Sequence, residues 1–456
     1  MRNLLLIMFT LIFINQLIAQ SADEAIELLE NEGGIGARAA AMGNAYTGVA
    51  DDYSAIYFNP AGLAQMRQGQ VWGDLYNLNF DNSARYYGSD LSDNRTFTKL
   101  QSIGIAYPFP VLRGSLVFAF GYQRIKDLDS FLNFSGYDSN SNGLYFDYGD
   151  QIGEVYFDSG VQRTQTVYND GNLSQWSFGA AMDLSPNFSA GLTINFYGGS
   201  STYTSDYLQE DIDNIYRFDT NPIDFDYYLY QQKIVSDYSG LELKLGGLFR
   251  ISEQVRLGAT ITFPMTLTVD ESWSENDEIG YDDLSYEALD LGSGEFDYDI
   301  KVPFKFGAGI SFQQRYFLLS ASMDYRDWSQ VEYAVPSDRS ASDYRDLLDE
   351  NAVIRDDYRA VLSYSLGGEF NVMDSGMFLR AGYRRVPTPL KEGDGGFDKV
   401  YYSGGIGYKI DKSTTLDVSY TRGTWENQSA YLYTSTALTT EDITTTKVLV
   451  GLKFSF

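Results

Sequence analysis

From about Val71 to Phe456 the chain returns again and again to one pattern, a run of roughly ten residues in which apolar side chains alternate with polar or small ones, the length and period of a barrel strand. Leu241, Leu243, Leu245, Gly247 and Phe249 share one face, and Glu242, Lys244, Gly246, Leu248 and Arg250 the other. The same holds for Phe304 to Gln313, for Phe317 to Arg326 and for Met377 to Arg384. Period two places successive side chains on opposite faces of a strand. A sandwich and a barrel both alternate in this way, so the connections must decide. Short turns fall at Ser185-Pro186-Asn187, Ser252-Glu253-Gln254, Gln313-Gln314-Arg315, Asp374-Ser375-Gly376 and Asp411-Lys412-Ser413. Between them lie long polar segments at 126–172, 200–239, 270–294 and 328–358, with shorter ones at 81–99, 386–398 and 425–440. Regular alternation of short and long connections has no cause in a sandwich. It is the plan of an outer-membrane barrel, with short periplasmic turns and long outer loops.

The runs are 71–80, 101–109, 113–124, 173–184, 187–199, 240–251, 254–268, 295–312, 315–327, 359–372, 376–386, 398–410, 413–424 and 442–456. The expected fold class is therefore all-β: a transmembrane antiparallel β-barrel of about 14 strands over residues 71–456, with both barrel ends on the periplasmic side.

Membrane physics agrees. After the first residues, no stretch has the ~18 unbroken apolar residues of a spanning helix, and in lipid only helices and closed barrels satisfy every backbone polar group. Residues 1–19 read as a secretory signal: Met1-Arg2-Asn3, an apolar run over Leu4 to Ile14, and Leu17-Ile18-Ala19 before a cleavage point at Gln20. The expected location is the bacterial outer membrane, with its lipid as surroundings.

Composition removes whole classes of chemistry. The chain has no His and no Cys, so Ser-His and Cys-His catalytic pairs and His or Cys metal sites are excluded. No GxSxG elbow is present. No enzymatic activity, cofactor or metal is expected. The net charge of −29 repels nucleic acid. The acids crowd into the long polar segments, as in Asp211 to Tyr228 and Glu275 to Asp283, without the spacing of a Ca²⁺ loop. Aromatics in those segments, among them Phe131, Phe134, Tyr145, Phe146, Tyr148, Tyr156, Phe157, Tyr227, Tyr228 and Tyr230, offer a landing surface for an apolar compound or, equally, pack on one another.

Residues 20–70 break the pattern. Ala22 to Leu29 (ADEAIELL) reads as a short helix stopped near Asn31 and Gly33-Gly34. Arg38 to Val49 is Ala-rich, with Gly43 and Gly48 opposing a continuous helix. Asn59 suits an N-cap, Pro60 the first helical position, and Ala61 to Met66 a turn or two after it. A compact element of small side chains on the periplasmic side fits inside the barrel as a hatch, where small residues allow close approach to the wall. Asp51 and Asp52 are then expected to meet inward Arg or Lys.

The run GARAAAMGNAYTGVADDYSAIYFNPAGL, Gly36 to Leu63, resembles the N-terminal signature of the FadL/TodX-type outer-membrane transporters of hydrophobic compounds. The matching positions include Gly36, Arg38, Met42, Gly43, Asp51, Asp52, Asn59, Pro60, Ala61 and Gly62. Nearly the same signature occurs in PorV-like partner barrels of a secretion system, which is the alternative reading. The alternating last strand ending in Phe456 resembles the signal read by the barrel assembly machinery, an expected partner during biogenesis. The resemblance implies a hatch-gated barrel for passive uptake of a hydrophobic small molecule, a long-chain fatty acid or a hydrocarbon. It also implies exit through the wall beside an irregular third strand, where Gly121 is the candidate weak point. A carboxylate cargo would want a cation. Inward candidates by parity are Lys244, Arg250, Lys305, Arg326, Arg380 and Arg384, with Glu242, Asp324 and Glu369 as competing partners.

Overall fold

The computed structural model describes residues 21–30, 33–149, 152–219, 221–373, 375–429 and 438–456. The expected signal, residues 1–19, lies outside the described residues. The wall is a closed barrel of 14 antiparallel strands. These are β1 (Gln70–Tyr86), β2 (Ser89–Phe109), β3 (Leu116–Asp127, continued by Ser130–Asp138), β4 (Val161–Ser185), β5 (Phe188–Glu210) and β6 (Phe225–Arg250). They continue as β7 (Val255–Thr262 and Met265–Tyr281), β8 (Tyr286–Val302 and Lys305–Gln313), β9 (Phe317–Asp327), β10 (Ala360–Asn371), β11 (Met377–Val386), β12 (Lys399–Lys409), β13 (Thr414–Ser429) and β14 (Thr439–Ser455). Each pairs with its sequence neighbour, and β1 closes the ring on β14 from Gln70↔Ser455 to Arg85↔Thr440. Both barrel ends thus lie at the short-turn end, where Gly69 donates to the carbonyl of Phe456.

The alternating faces point as a membrane demands. Leu241, Leu243, Leu245, Phe306, Ile310, Leu319, Leu366, Leu379 and Phe454 are all exposed on the outside. In water that would be a liability; facing lipid it is the stable arrangement.

Several outer segments expected as loops are strand. Residues 81–99 form the upper part of the β1–β2 hairpin, which pairs up to Tyr86↔Ser89. The β4–β5 ladder runs out to Gln162↔Glu210, and β7–β8 to Gly280↔Tyr286. There Thr, Ser, Gln and Tyr occupy both faces, so the apolar alternation that marks a lipid-facing strand is absent although the ladder continues. The segment 328–358 contains a helix, α4 (Arg345–Asp357).

Two neighbouring strands break at one level. Pro264 interrupts β7 and Pro303 interrupts β8, and the ladder resumes at Met265↔Val302. Proline lacks the N–H a ladder needs. The third strand is irregular, as the family resemblance implies: a register shift lies between Arg124 and Lys126, and the strand breaks at Leu128-Asp129.

The lumen is filled in two layers. At the short-turn end sit α2 (Ala37–Ala41), α3 (Ala55–Phe58) and the 3-10 helix Pro60–Gln65. Further out sit α1 (Ala22–Leu29), where the sequence places it, and α4.

Candidate functional site

The lower layer answers why Gly36 to Leu63 is so small-residued. Gly36 and Gly43 have φ of 85° and 63° and frame α2, which ends at Ala41, well short of Val49. Asn59 caps the 3-10 helix, its Oδ1 accepting from Ala61 N at 3.1 Å, with Pro60 in the first turn. The barrel meets this layer with glycines of its own. Gly191, Gly246, Gly258, Gly309, Gly367 and Gly382 come from six different strands, and a Cβ on any of them would collide with residues 42–61. The fit is backbone against backbone, which only glycine permits.

Charge fixes the layer in place. Arg38 Nη1 donates to Asp51 Oδ1 at 2.6 Å, and Arg38 Nε to Glu369 Oε2 on β10 at 2.7 Å. The same Glu369 oxygen accepts from Arg380 Nε at 2.7 Å, and Arg380 Nη1 reaches Asp417 at 2.7 Å. Burial works against the Arg38 charge, but Asp51 and Glu369 more than offset it and raise its pKa well above the usual value. Asp51 thus finds its main cation within the layer itself, with Arg256 of β7 adding a 3.7 Å contact, while Asp52 lies 3.7 Å from Arg38 and, although burial raises its carboxyl, is also drawn down by Lys453 of β14 on the wall.

Above this layer lies a cavity roofed by Leu28, Leu29 and Glu30 at the end of α1 and floored by Tyr57. Its apolar lining includes Ile125, Leu173, Met265, Val302, Trp328 and Val361. Among the described residues, six cations line it, Lys126, Lys244, Lys305, Arg326, Arg384 and Lys399, against three carboxylates, Glu30, Glu242 and Asp324. Lys399 pairs with Glu30 at 2.5 Å, and Lys305 stands 3.7 Å from Asp324. Glu242 takes hydrogen bonds from Asn195 at 2.8 Å and Tyr197 at 2.9 Å. Lys244 donates to Tyr57 O at 2.8 Å, and Arg326 lies over the Trp328 ring.

Of the parity-derived candidates, Lys244, Lys305, Arg326 and Arg384 come together in this cavity. Arg250 and Arg380 do not. Arg250 pairs with Asp183 at the short-turn rim, at 3.2 Å, and Arg380 belongs to the Glu369–Asp417 network. Sequence reading missed Lys126 and Lys399. Lys399 opens its strand, and Lys126 follows the register shift that resets parity in β3.

A second cavity adjoins the first, sharing Ile125, Lys126, Arg384 and Tyr401 with it. It reaches an interval where the wall is not continuously paired. The β2–β3 ladder ends at Ser102↔Gln123, and further out β2 pairs only with β1 among the described residues. Side chains span the interval: Gln101 Nε2 donates to Arg124 O at 2.6 Å, and Lys99 pairs with Asp129. Gly121 is not at this break. It is paired on both sides, with Gly104 and Ser177, and Trp72 packs against it.

The outer aromatics form no landing surface as a set. Phe134, Phe146, Phe157 and Tyr228 are fully buried, and Phe131 and Tyr230 nearly so. Phe146, Phe157, Tyr228 and Tyr230 pack together around a small hairpin, Tyr145–Asp147 with Glu154–Tyr156, whereas Phe134 packs on Tyr86 in a separate cluster and Phe131 lies under the Arg95 guanidinium. Tyr156 is exposed.

A closed barrel with an apolar exterior, plugged at its short-turn end and hollow above the plug, is in class a membrane channel. The family model described as outer membrane protein transport protein (OMPP1/FadL/TodX) matches residues 168–454, and the chain belongs to that family. Its place is the bacterial outer membrane. A FadL homologue from Pseudomonas aeruginosa superposes with a TM-score of 0.61 at 13% identity, over 93% of this chain and 99% of the other. The toluene transporter TodX of P. putida gives 0.57 at 14%, over 93% and 99%. The toluene transporter TbuX of Ralstonia pickettii gives 0.53 at 15%, over 93% and 98%. At such identities the likeness concerns the fold, and it extends over the N-terminal segment that the family model leaves unmatched. No curated protein matches in sequence. The secretion-partner alternative gains no support from any of these matches.

Proposed function

We propose that this protein is a passive transporter of amphipathic monocarboxylates, with long-chain fatty acids as the cargo. The head group is held by cations of the larger cavity, and release is sideways through the β2–β3 interval. The observation that carries the reading is the excess of cations in that cavity, six against three carboxylates, within a protein of net charge −29. Burying cations costs desolvation unless an anion meets them. A neutral hydrocarbon gains nothing from them, whereas a carboxylate offsets the cost through charge-assisted hydrogen bonds. The apolar lining beside them suits an acyl chain.

Two features support sideways release. The second cavity leads from the first to the interval in the wall. The plug, by contrast, is seated backbone to backbone and held by buried ion pairs. Downhill movement needs no catalytic group, only a path that keeps an acyl chain out of water.

The test is a titration of the purified protein with a fluorescent long-chain fatty acid, competed by the unlabelled acid, the alcohol of equal chain length, and toluene. The acid is expected to compete about tenfold better than the alcohol, the worth of one charge-assisted contact. Arg326→Gln with Lys305→Gln should narrow the difference. Equal competition by acid and alcohol would remove the carboxylate reading, and absence of saturable binding to folded protein would remove the transport reading.

A further inference from the structure

Arg124 stands at an unusual position. It continues the row Phe118, Phe120 and Tyr122 on β3, of which Phe118 and Phe120 are exposed toward lipid. A cation on a lipid-facing row is costly, and a charge kept there is by default functional. Its side chain is only 14% exposed, because it turns to line the second cavity at the end of the β2–β3 ladder. Its guanidinium comes within 3.5 Å of Asp127, yet Nε and Nη1 are buried without a hydrogen bond. Ser419, which also lines the cavity, carries a buried hydroxyl without a hydrogen-bond partner. Lys447, Lys126 and Arg384 line the cavity as well, while Asp127 is the one carboxylate among its described lining residues.

We infer that the second cavity is a distinct carboxylate-binding subsite, centred on Arg124 and Lys447, which receives the cargo's head group before the cargo leaves through the wall. This rests on the carboxylate-cargo reading above. The physical need is specific. An anion moving from the first cavity directly into the wall would lose every counter-charge at once, which is prohibitive in a low-dielectric setting. A cation at the edge of the ladder divides that loss into two steps. Lys447 lies 4.0 Å from the centre of the Tyr76 ring and donates to Gln101 at 2.7 Å, so it sits on the cavity side of the interval. A neutral cargo would make no use of the pair.

The experiment uses the full-length protein in detergent, palmitate labelled with carbon-13 at its carboxyl, and NMR detection of the bound carboxyl signal. Two saturable bound environments are expected. Arg124→Gln should weaken the second by about tenfold, the worth of one charge-assisted contact, and leave the first. Lys447→Gln should act in the same direction, and Arg124→Lys should keep both signals, with heat-modifiable migration on gels confirming a folded barrel. Cetyl alcohol labelled at its first carbon should show no change in any variant. A single bound carboxyl signal, unaltered in Arg124→Gln and Lys447→Gln, would overturn the second subsite while leaving the carboxylate cargo intact. No bound carboxyl signal at all would overturn both.

Discussion

Arg38 and Glu369 lie 331 residues apart and meet at 2.7 Å through a second contact pair as well, Nη2 to Oε1 at 3.0 Å. This two-pronged pair joins the lumen plug to the wall, and Glu369 in turn holds Arg380. Both side chains are largely buried, at 15% and 10% exposure. Removing one partner leaves an uncompensated charge, which typically costs about 3–5 kcal/mol. Arg38→Met is therefore expected to unseat the plug without unfolding the barrel. Ion conductance in planar bilayers should rise and protease cleavage within residues 33–66 should appear. Arg38→Lys, which keeps the charge and loses the fork, should fall between. Unchanged conductance and protection in Arg38→Met would show that the glycine-lined seat alone holds the plug.

The seat makes a separate prediction. A Cβ at Gly309 would lie 2.6 Å from Gly48 N and 2.9 Å from Thr47 Cβ. Backbone cannot swing aside as a side-chain tip can, so Gly309→Ala should cost about 1–3 kcal/mol of plug docking. A Cβ at Gly73 would have no heavy atom within 4 Å, so Gly73→Ala is the matched control and should behave as wild type. Equal conductance in the two variants would refute the close-approach account.

Those glycines show what was legible in the sequence and what was not. The wall was readable because lipid imposes a strict period two on rows such as Leu241-Leu243-Leu245 and Val450-Leu452-Phe454. The outer hairpins were not, because Thr164, Gln165 and Thr166 satisfy a ladder with polar residues on both faces. Asn59-Pro60 declared its cap locally, and the structure bears this out at Ala61 N. Gly309 and Gly382 did not declare their role, since a strand glycine gives no sign of what approaches it from far along the chain. Parity located Lys244, Lys305, Arg326 and Arg384 on the lumen side but gave no height along the barrel, so Arg250 and Arg380 were grouped with them. One register shift between Arg124 and Lys126 hid the two residues of β3 most relevant to the cavities.

The roof of the larger cavity should respond to pH. Glu24 lies on α1, which is held by Tyr333 OH to Ser21 O at 2.8 Å and by Ala22 N to Glu350 at 2.8 Å. Burial raises the Glu24 carboxyl well above its usual range, and Glu271 on β7 and the neighbouring Glu27 raise it further. Tyr203, Tyr238, Tyr298 and Tyr333 are the other titratable groups it influences. A carboxyl with a raised pKa in the docked state favours docking while protonated. That contribution is complete at acid pH, below the ordinary carboxylate range, and is lost as pH rises through the docked-state value. Amide protection of Ala25 to Leu29 should fall with rising pH after correction for intrinsic exchange, and Glu24→Gln should flatten the profile. A flat profile in the wild type would mean that docking does not bury the Glu24 carboxyl at a cost to its charged form.

Lys99 on β2 pairs with Asp129, the residue at the break in β3, and so bridges the interval that the ladder leaves open. The chain has no Cys, so a pair of introduced thiols is free of background. In Lys99→Cys with Asp129→Cys, a short reversible thiol-to-thiol linker would tie the two strands together. Fatty-acid binding in the larger cavity should persist, because no lining residue of that cavity has changed. Uptake into vesicles carrying the linked protein should fall to that of protein-free vesicles and return on reduction. The companion pair, Thr47→Cys with Ser322→Cys, ties the plug to the wall where Thr47 N now meets Ser322 Oγ at 3.2 Å. Linking there should leave uptake unchanged, because sideways release does not require the plug to move. The opposite pattern, with uptake blocked by the plug link and untouched by the strand link, would put the exit through the plug and reduce the break in β3 to a structural irregularity.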